Sequence, residues 1–477
     1  MKKSLDKNNN RSKKVIYSIL ITVATFLILC LALWLFNFNS VTIHNYFLMV
    51  SALLLIMGGF GIYIFYIERG VAYSPRKVGV ICCAILLSYF LVTVLDMLGG
   101  VFLAPLAFCA LLVTMLISAQ CGFFANFTVV LVVLLSKLIL SSNGQMTEQL
   151  LYILIAGVMS SLYASYAVSR HFRRLMYVVI GLLLSALAMA CATVGFFIFE
   201  NGAWNGEKFL RIILYAFGGG LINVMLLFVI APLFEVIFNV TSDFRLAEIT
   251  STSQPLLVKM YNVAPGTFNH SLTVSNYIEA CAAAIGEDTF LARAAGYYHD
   301  IGKIKDPKFF IENQIDGHNP HDEIYPEASV SAIKKHVANG LALAKEYRLP
   351  IEVQKAIIEH HGTMPIMYFY AKAQKYTDGD LPYDSFSYDG PLPSNKISAI
   401  LMICDACEAA LRANGDKMTA EKIVDDIVSQ RIEFNQFVEC DITMKDIEIV
   451  KNTIITTYRG IQHKRVKYPK IKKEIDK

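Results

Sequence analysis

Tyr297-Tyr298-His299-Asp300-Ile301-Gly302-Lys303 is the stretch from which the rest of the chain can be read. An adjacent His-Asp pair offers imidazole nitrogen and carboxylate oxygen, the donor types that divalent transition metals take at hydrolytic centres. Alone the pair is weak evidence, and its context supplies the weight. Eight of the ten histidines lie after residue 260, and His270, His336, His360, His361 and Asp405 join His299 and Asp300 as a set of seven donors. The two carboxylate oxygens of Asp300 can each face a cation, whereas a neutral imidazole gives one lone pair to one metal. His360 and His361 close the apolar run Ala356-Ile357-Ile358, and Gly362 behind them suits a helix C-terminus. Asp405 follows Ile400-Leu401-Met402-Ile403-Cys404, where an unpartnered buried carboxylate would be costly. Together the seven read as the ligand set of a two-metal hydrolytic site.

Outward from this run the C-terminal half is a succession of helical patterns. Apolar residues recur at i, i+3 and i+4 near 267–286, 290–300, 326–346, 350–361, 395–413, 418–430 and 443–460, with no strand-like alternation. Between 364 and 394 the pattern fails, and Tyr368, Tyr370, Tyr376, Tyr383, Phe386 and Tyr388 alternate with Asp, Gly and Pro. A long aromatic loop of this kind is expected as a lid or binding wall. His318 and His321 fall in a Pro/Asp/Gly loop and are expected to be structural or exposed. Cys404-Asp405-Ala406-Cys407 has CxxC spacing but no second pair to complete a structural zinc site; two small residues on a buried helix face account for it. The tail from His463 to Lys477 is basic and expected to be solvated, with contact to anionic lipid as the alternative.

The N-terminal half has another composition. The chain is 55% hydrophobic with mean hydropathy +0.47, too apolar for an ordinary soluble protein of this length. The excess lies in the first 240 residues, which hold 15 Lys and Arg against 7 Asp and Glu; the remainder holds 28 against 32. A net charge of +4 split in this way is no footprint of a nucleic-acid polymer. Eight apolar stretches, near 15–36, 46–66, 78–95, 99–118, 123–141, 149–168, 175–199 and 209–239, are each long enough to cross a bilayer at roughly 20 residues per span. The first lacks a small-x-small cleavage site and exceeds a signal-peptide core, so it is expected to remain as a helix. Basic residues stay on the cytoplasmic side. Lys2, Lys3, Lys7, Arg11, Lys13 and Lys14 precede the first span; Arg69, Arg76 and Lys77 follow the second; Arg170, Arg173 and Arg174 follow the sixth. With eight spans all three groups share one face, and the C-terminal half is cytoplasmic. Asp96, Lys137 and Glu235 lie near span ends, where anchoring is the expected role.

The expected fold is therefore all-α: a polytopic transmembrane domain of about eight spans, then a cytoplasmic all-helical domain. Residues 1–14 form a cytoplasmic N-terminus, 15–36 the first span, 37–45 a short extracellular loop and 46–240 a seven-span block. Residues 241–260 form a helical linker, in which Leu246, Ile249, Leu256, Leu257 and Met260 recur at helical spacing; 261–462 form the hydrolase domain and 463–477 the basic tail.

The ordered motifs resemble the HD phosphohydrolase superfamily and, more closely, its membrane-bound 7TMR-HD family. The matching pieces are Ala264-Pro265-Gly266-Thr267-Phe268-Asn269-His270, the opening run, Glu312-Asn313-Gln314, Asn319-Pro320-His321-Asp322, His336-Val337, His360-His361-Gly362-Thr363 and Asp405-Ala406-Cys407-Glu408-Ala409-Ala410. The resemblance implies that His270, His299, Asp300 and Asp405 hold one metal and Asp300, His336, His360 and His361 the second, both Mn2+ or Fe2+. It implies attack of a shared hydroxide on a 3′,5′-phosphodiester of cyclic-di-AMP, with His299 and Asp300 at the catalytic core and Lys303 offsetting phosphate charge. Two departures stand out. The family's large extracellular domain between the first two spans is replaced here by a short interval, and Phe386-Ser387-Tyr388-Asp389-Gly390-Pro391 stands where an Arg-Tyr-Pro-Gly-Pro-like run is expected, which bears on nucleotide recognition. The rival enzymes specific for cyclic-di-GMP carry Gly-Tyr-Pro after the double histidine; this chain has Gly362-Thr363-Met364-Pro365. A non-catalytic nucleotide receptor is the reading from another class. The implied partners are the cyclic dinucleotide and the lipid bilayer; monomer and homodimer both stay open.

Overall fold

The structure is a computed structural model that describes residues 2–37, 42–140, 147–170, 174–200, 204–314, 317–376, 381–414 and 418–461. It divides into two compact units, Met1–Ser242 and Asp243–Lys477. The side chains of Lys2, Lys3, Lys7, Arg11 and Arg174, together with Arg173 and the basic tail, lie outside what is described.

Among the described residues seven helices of the first unit are long and apolar enough to cross a membrane. These belong to α1 (Lys2–Asn37), α2 (Ile43–Ile62), α3 (Pro75–Gly99), α5 (Ala119–Leu140), α6 (Glu148–Val168), α7 (Arg174–Phe199) and α8 (Gly206–Phe238). Helix is the natural answer to such sequences, because in lipid each backbone group must find its partner within the segment. The expected full span at 99–118 is corrected. Gly100, at φ +78°, and Pro105 break it into a 3-10 turn, Val101–Leu103, and the nine-residue α4, Phe108–Leu116. At 1.5 Å per residue α4 is about 14 Å long, under half of a ~30 Å hydrocarbon core. Phe108 to Val113 are fully buried, so this apolar run serves protein packing and not lipid contact.

The broken segment still carries the chain from one end of the bundle to the other. Asp96 near the end of α3 is paired with Lys137 near the end of α5. At the opposite end the Tyr63 ring stacks on Phe124 and its hydroxyl reaches Cys121 in the first turns of α5. Irregular backbone at that depth needs protein partners, and two buried asparagines provide them. Asn223 Oδ1 accepts the Ala107 N–H at 3.0 Å; Asn126 Oδ1 accepts the Ala110 N–H at 3.3 Å, while its Nδ2 donates to Leu106 O at 2.7 Å. The end carrying Arg69, Arg76 and Lys77 also holds the contact of Ser18 with Ala72 O and the approach of Phe238 to Gly79. At the other end Lys208 pairs with Glu148 at 3.1 Å and Glu200 at 2.8 Å. Near the end of α8 the Glu235 carboxylate accepts from the backbone and hydroxyl of Ser242.

The second unit is helical throughout its described residues, with one isolated bridge between Pro365 and Ser387. The expected linker is two helices, α9 (Asp243–Ile249) and α10 (Pro255–Val263), broken where Pro255 opens the second. They do not stand free: Leu246, Leu256, Leu257 and Met260 enter a core with Tyr297, Tyr298, Leu343, Val353 and Ile357. Then come α11 (Pro265–Ile285), α12 (Thr289–Tyr298), α13 (Pro326–Glu346), α14 (Ile351–Glu359), α15 (Met367–Gln374), α16 (Lys396–Asn414), α17 (Ala420–Glu433) and α18 (Met444–Ile461). Local signals explain several ends: Asp288 accepts the Leu291 N–H at 2.9 Å as an N-cap, and Gly286 ends α11 at φ +77°. A second core joins α11, α12, α16, α17 and α18 through Ile278, Ala295, Ile400, Leu401, Val424 and Val450. α15 lies inside the expected loop, where Ile366, Phe369, Tyr370 and Ala373 keep helical spacing; Phe369 and Ala373 pack with Val330 and Phe386.

Candidate metal centre

Five segments deliver the seven donors to one place. His270 lies in the second turn of α11, His299 caps α12 with Asp300 next in the chain, His336 is midway along α13, His360 caps α14 with His361 behind it, and Asp405 is midway along α16. Close backbone approach sets two of these segments together: a Cβ on Gly302 would fall on the carbonyl oxygen of His336 and the amide of Gly340, so the turn after Asp300 sits against α13 only because residue 302 has no side chain.

The donors form two groups sharing Asp300: His270, His299, Asp300 and Asp405, and Asp300, His336, His360 and His361. Neighbouring donors around an ion at ~2.1 Å are roughly 3.0–3.5 Å apart. In the first group His270 Nε2 is 3.0 Å from Asp405 Oδ1 and 3.6 Å from Asp300 Oδ2, and His299 Nε2 is 3.5 Å from Asp405 Oδ1 and 3.3 Å from Asp300 Oδ2. In the second, Asp300 Oδ1 is 3.4 Å from His336 Nε2 and 3.7 Å from His360 Nε2, which are 3.4 Å from each other. His299 Nε2 and Asp300 Oδ1 are buried without a hydrogen-bond partner among the described residues. Orphaned polar atoms at 0–1% exposure are costly unless something else satisfies them. The residues therefore fit two divalent cations.

Second contacts fix the rings. His299, His336 and His360 each direct Nδ1 at the carbonyl three residues earlier, Gly296, Ile333 and Ile357, at 2.8, 2.7 and 2.7 Å; donating from Nδ1 leaves Nε2 free for a ligand bond. His270 differs, because its Nδ1 faces Glu408 Oε2 at 2.5 Å. His361 stacks under Tyr388, with ring centroids 4.1 Å apart and planes at 20°. Lys303 Nζ is held between Asp300 Oδ2 at 2.7 Å and Glu312 Oε1 at 2.9 Å. His318 is exposed and paired with Glu323 at 2.8 Å, and His321 directs Nε2 at Phe309 O; neither belongs to a donor group. Cys404 and Cys407 are buried in the second core.

Electrostatics are those of a site short of positive charge. Burial alone would raise Asp300, but Lys303 and His299 outweigh it and hold the carboxyl well below its usual range. Burial likewise opposes ionisation of Asp405, and His270 and His299 prevail. Burial would depress His299, yet Asp300 and Asp405 lift it to about 10. In the second group burial wins: it carries His336 down to about 4 despite Asp300, and burial with the neighbouring His360 and His336 pushes His361 well below its ordinary value despite Asp405 and Asp300. The sequence alone gives Glu408 and Glu312 no role and places Tyr388 only in an aromatic wall. Glu408 sits three residues after Asp405 on the same helix, a spacing that puts both on one face; Glu312 and Tyr388 come from loops, where no periodicity marks direction.

A helical domain that converges five histidines and two aspartates on two adjacent candidate cation sites defines an HD-type hydrolase domain, of a metal-dependent class, here following a polytopic membrane unit. Residues 267–410 match the HD domain, and residues 46–242 match the family described as 7TM receptor with intracellular HD hydrolase. The chain belongs to that family. It is 35% identical over 370 residues to the cyclic-di-AMP phosphodiesterase PgpH of Listeria monocytogenes, covering 77% of this chain and 50% of the relative. It is 34% identical over 327 residues to the Bacillus subtilis protein of the same name, covering 68% and 45%. The chain thus spans about half the length of these curated relatives. The crystal structure of the L. monocytogenes PgpH HD domain in complex with cyclic-di-AMP is 42% identical over 45% of this chain and all of that one, with a TM-score of 0.43. Ribonuclease Y of Latilactobacillus sakei is similar over 94 residues only, at 36% identity, covering 20% of this chain and 14% of the relative.

Proposed function

We propose that the chain is a membrane-anchored phosphodiesterase that hydrolyses cyclic-di-AMP to pApA, with its HD unit in the cytoplasm. One observation carries the chemistry: Asp300 turns Oδ2 to one donor group and Oδ1 to the other, so that it would offer one oxygen to each of two cations. When bound, two cations such as Mn2+ or Fe2+ would supply an activated water and polarise a phosphoryl oxygen. The chain's own residues do the rest. Asp300 sets the spacing of the two sites, the backbone carbonyls and Glu408 hold the imidazoles in their ligating orientation, and Lys303 is fixed by Asp300 and Glu312 where its ammonium can offset phosphodiester charge. Tyr388 closes the side of the second group next to His361. The choice of cyclic-di-AMP is supported by what the two relatives are named for, and the cytoplasmic placement by Arg69, Arg76, Lys77 and Arg170 at the bundle end from which the second unit follows.

The test is the purified full chain in detergent, loaded with Mn2+ and incubated with cyclic-di-AMP, with pApA measured by chromatography. Wild type should form pApA, and His299→Ala/Asp300→Ala should not. Hydrolysis of cyclic-di-GMP in preference would replace the substrate; tight binding of labelled dinucleotide without turnover would replace the enzyme by a receptor.

A further inference from the structure

At the end of the membrane bundle marked by Glu148, Glu200 and Lys208, a cavity of about 180 Å³ opens between α1, α3 and α5. Its lining includes Phe36, Tyr89, Thr93, Asp96, Ser136 and Lys137. Asp96 and Lys137 form an ion pair across α3 and α5, with side chains 15% and 30% exposed. Charges set in apolar spans are expensive and mark functional positions more often than not. The Asp96–Lys137 pair lines this space together with Tyr89, Thr93 and Ser136; the Thr93 and Ser136 hydroxyls donate to the Tyr89 and Val133 carbonyls of their own helices.

The chemistry of the lining narrows the occupant. Pulling Asp96 and Lys137 apart to admit a guest leaves two poorly solvated charges unless the guest satisfies both. It must therefore carry an ammonium for Asp96 and a carboxylate for Lys137, and since the two side chains are in contact, the guest's charges must be close together. At roughly 30 Å³ per water-sized group the cavity takes about six non-hydrogen atoms, the size of glycine, alanine or serine. We propose that the seven-helix unit binds a small free α-amino acid in this cavity, between Asp96 and Lys137, on the side of the membrane opposite Arg69, Arg76 and Lys77.

The test uses the full chain in nanodiscs without metal or nucleotide, so that its outcome is independent of the phosphodiesterase reading. Glycine, L-alanine and L-serine are titrated by calorimetry and by thermal unfolding, with acetate and methylamine as single-charge controls. Saturable binding of at least one amino acid, with none of either control at the same concentrations, is expected. Val133→Phe fills the cavity beside the intact ion pair and should weaken binding about tenfold or more. Asp96→Asn/Lys137→Gln removes both charges without stranding one; it should do the same, and it decides the matter if the phenylalanine variant does not fold. Absence of binding by all three amino acids, or binding that the folded variants leave unchanged, overturns the proposal.

Discussion

Asp300 is the residue on which the centre turns, and its surroundings make its occupancy depend on protons. His299, lifted to about 10 by Asp300 and Asp405 against the effect of burial, binds a proton at neutral pH when no cation is present. A cation needs that nitrogen unprotonated. Metal affinity should therefore rise with pH across the neutral and alkaline range toward about 10 and fall as pH drops, with proton release on binding. Calorimetry in buffers of different ionisation enthalpy would measure that release; affinity flat from pH 6 to 9 would contradict it. Glu408 acts one step further out. Its contact with His270 Nδ1 is the only carboxylate support among the ligand imidazoles described, so Glu408→Gln should orient the ring more weakly and Glu408→Ala should lose the support altogether. Loss of such a contact costs about 10–100-fold in metal affinity, and the loss should fall on one of two bound ions, read by metal analysis after dialysis against a chelator.

Elements show where composition speaks and where it does not. The long amphipathic helices that carry His270, His336 and Asp405 were legible because their apolar residues recur with helical period over many turns. α15 was hidden because it is only eight residues long and stands between Pro365 and the Asp- and Gly-rich run that starts at Asp378, too short for its period to stand out. The break before α4 was hidden for a deeper reason: an apolar run has the same composition whether it faces lipid or protein, and only Gly100 and Pro105 hint that 99–118 is no continuous span. Two substitutions test these elements. Gly302→Ala puts a methyl where the His336 carbonyl and Gly340 amide already stand. Overpacking of this kind costs about 1–3 kcal/mol or more, and it should displace α13 and lower metal stoichiometry along with the unfolding midpoint. Asn126→Leu strips the partner from the Ala110 N–H and the Leu106 carbonyl; each buried unpaired group costs about 1–3 kcal/mol, so the detergent-solubilised protein should melt earlier while Asn205, an exposed N-cap at the bundle end, can be replaced by Asp with little effect.

At the scale of the molecule the candidate membrane spans lie in the first unit and the donor set in the second. All seven donors, Lys303 and Glu408 lie after residue 242, and both cores beneath them are built from residues of the same unit. Where that unit begins is a physical question with a measurable answer. A domain started at residue 261, as motif spacing suggests, would discard Leu246, Leu256, Leu257 and Met260, each 3% exposed or less and packed against the helices that end in His299 and His360. Full burial of a large apolar side chain contributes about 1.5–3 kcal/mol, so these four together amount to a large part of a domain's ordinary margin of about 5–15 kcal/mol. Residues 243–477 produced alone should therefore fold cooperatively and retain two divalent ions per chain, whereas 261–477 should unfold at markedly lower denaturant and lose metal with it. Equal denaturation midpoints for the two fragments would show that α9 and α10 are a tether and not part of the hydrolase core.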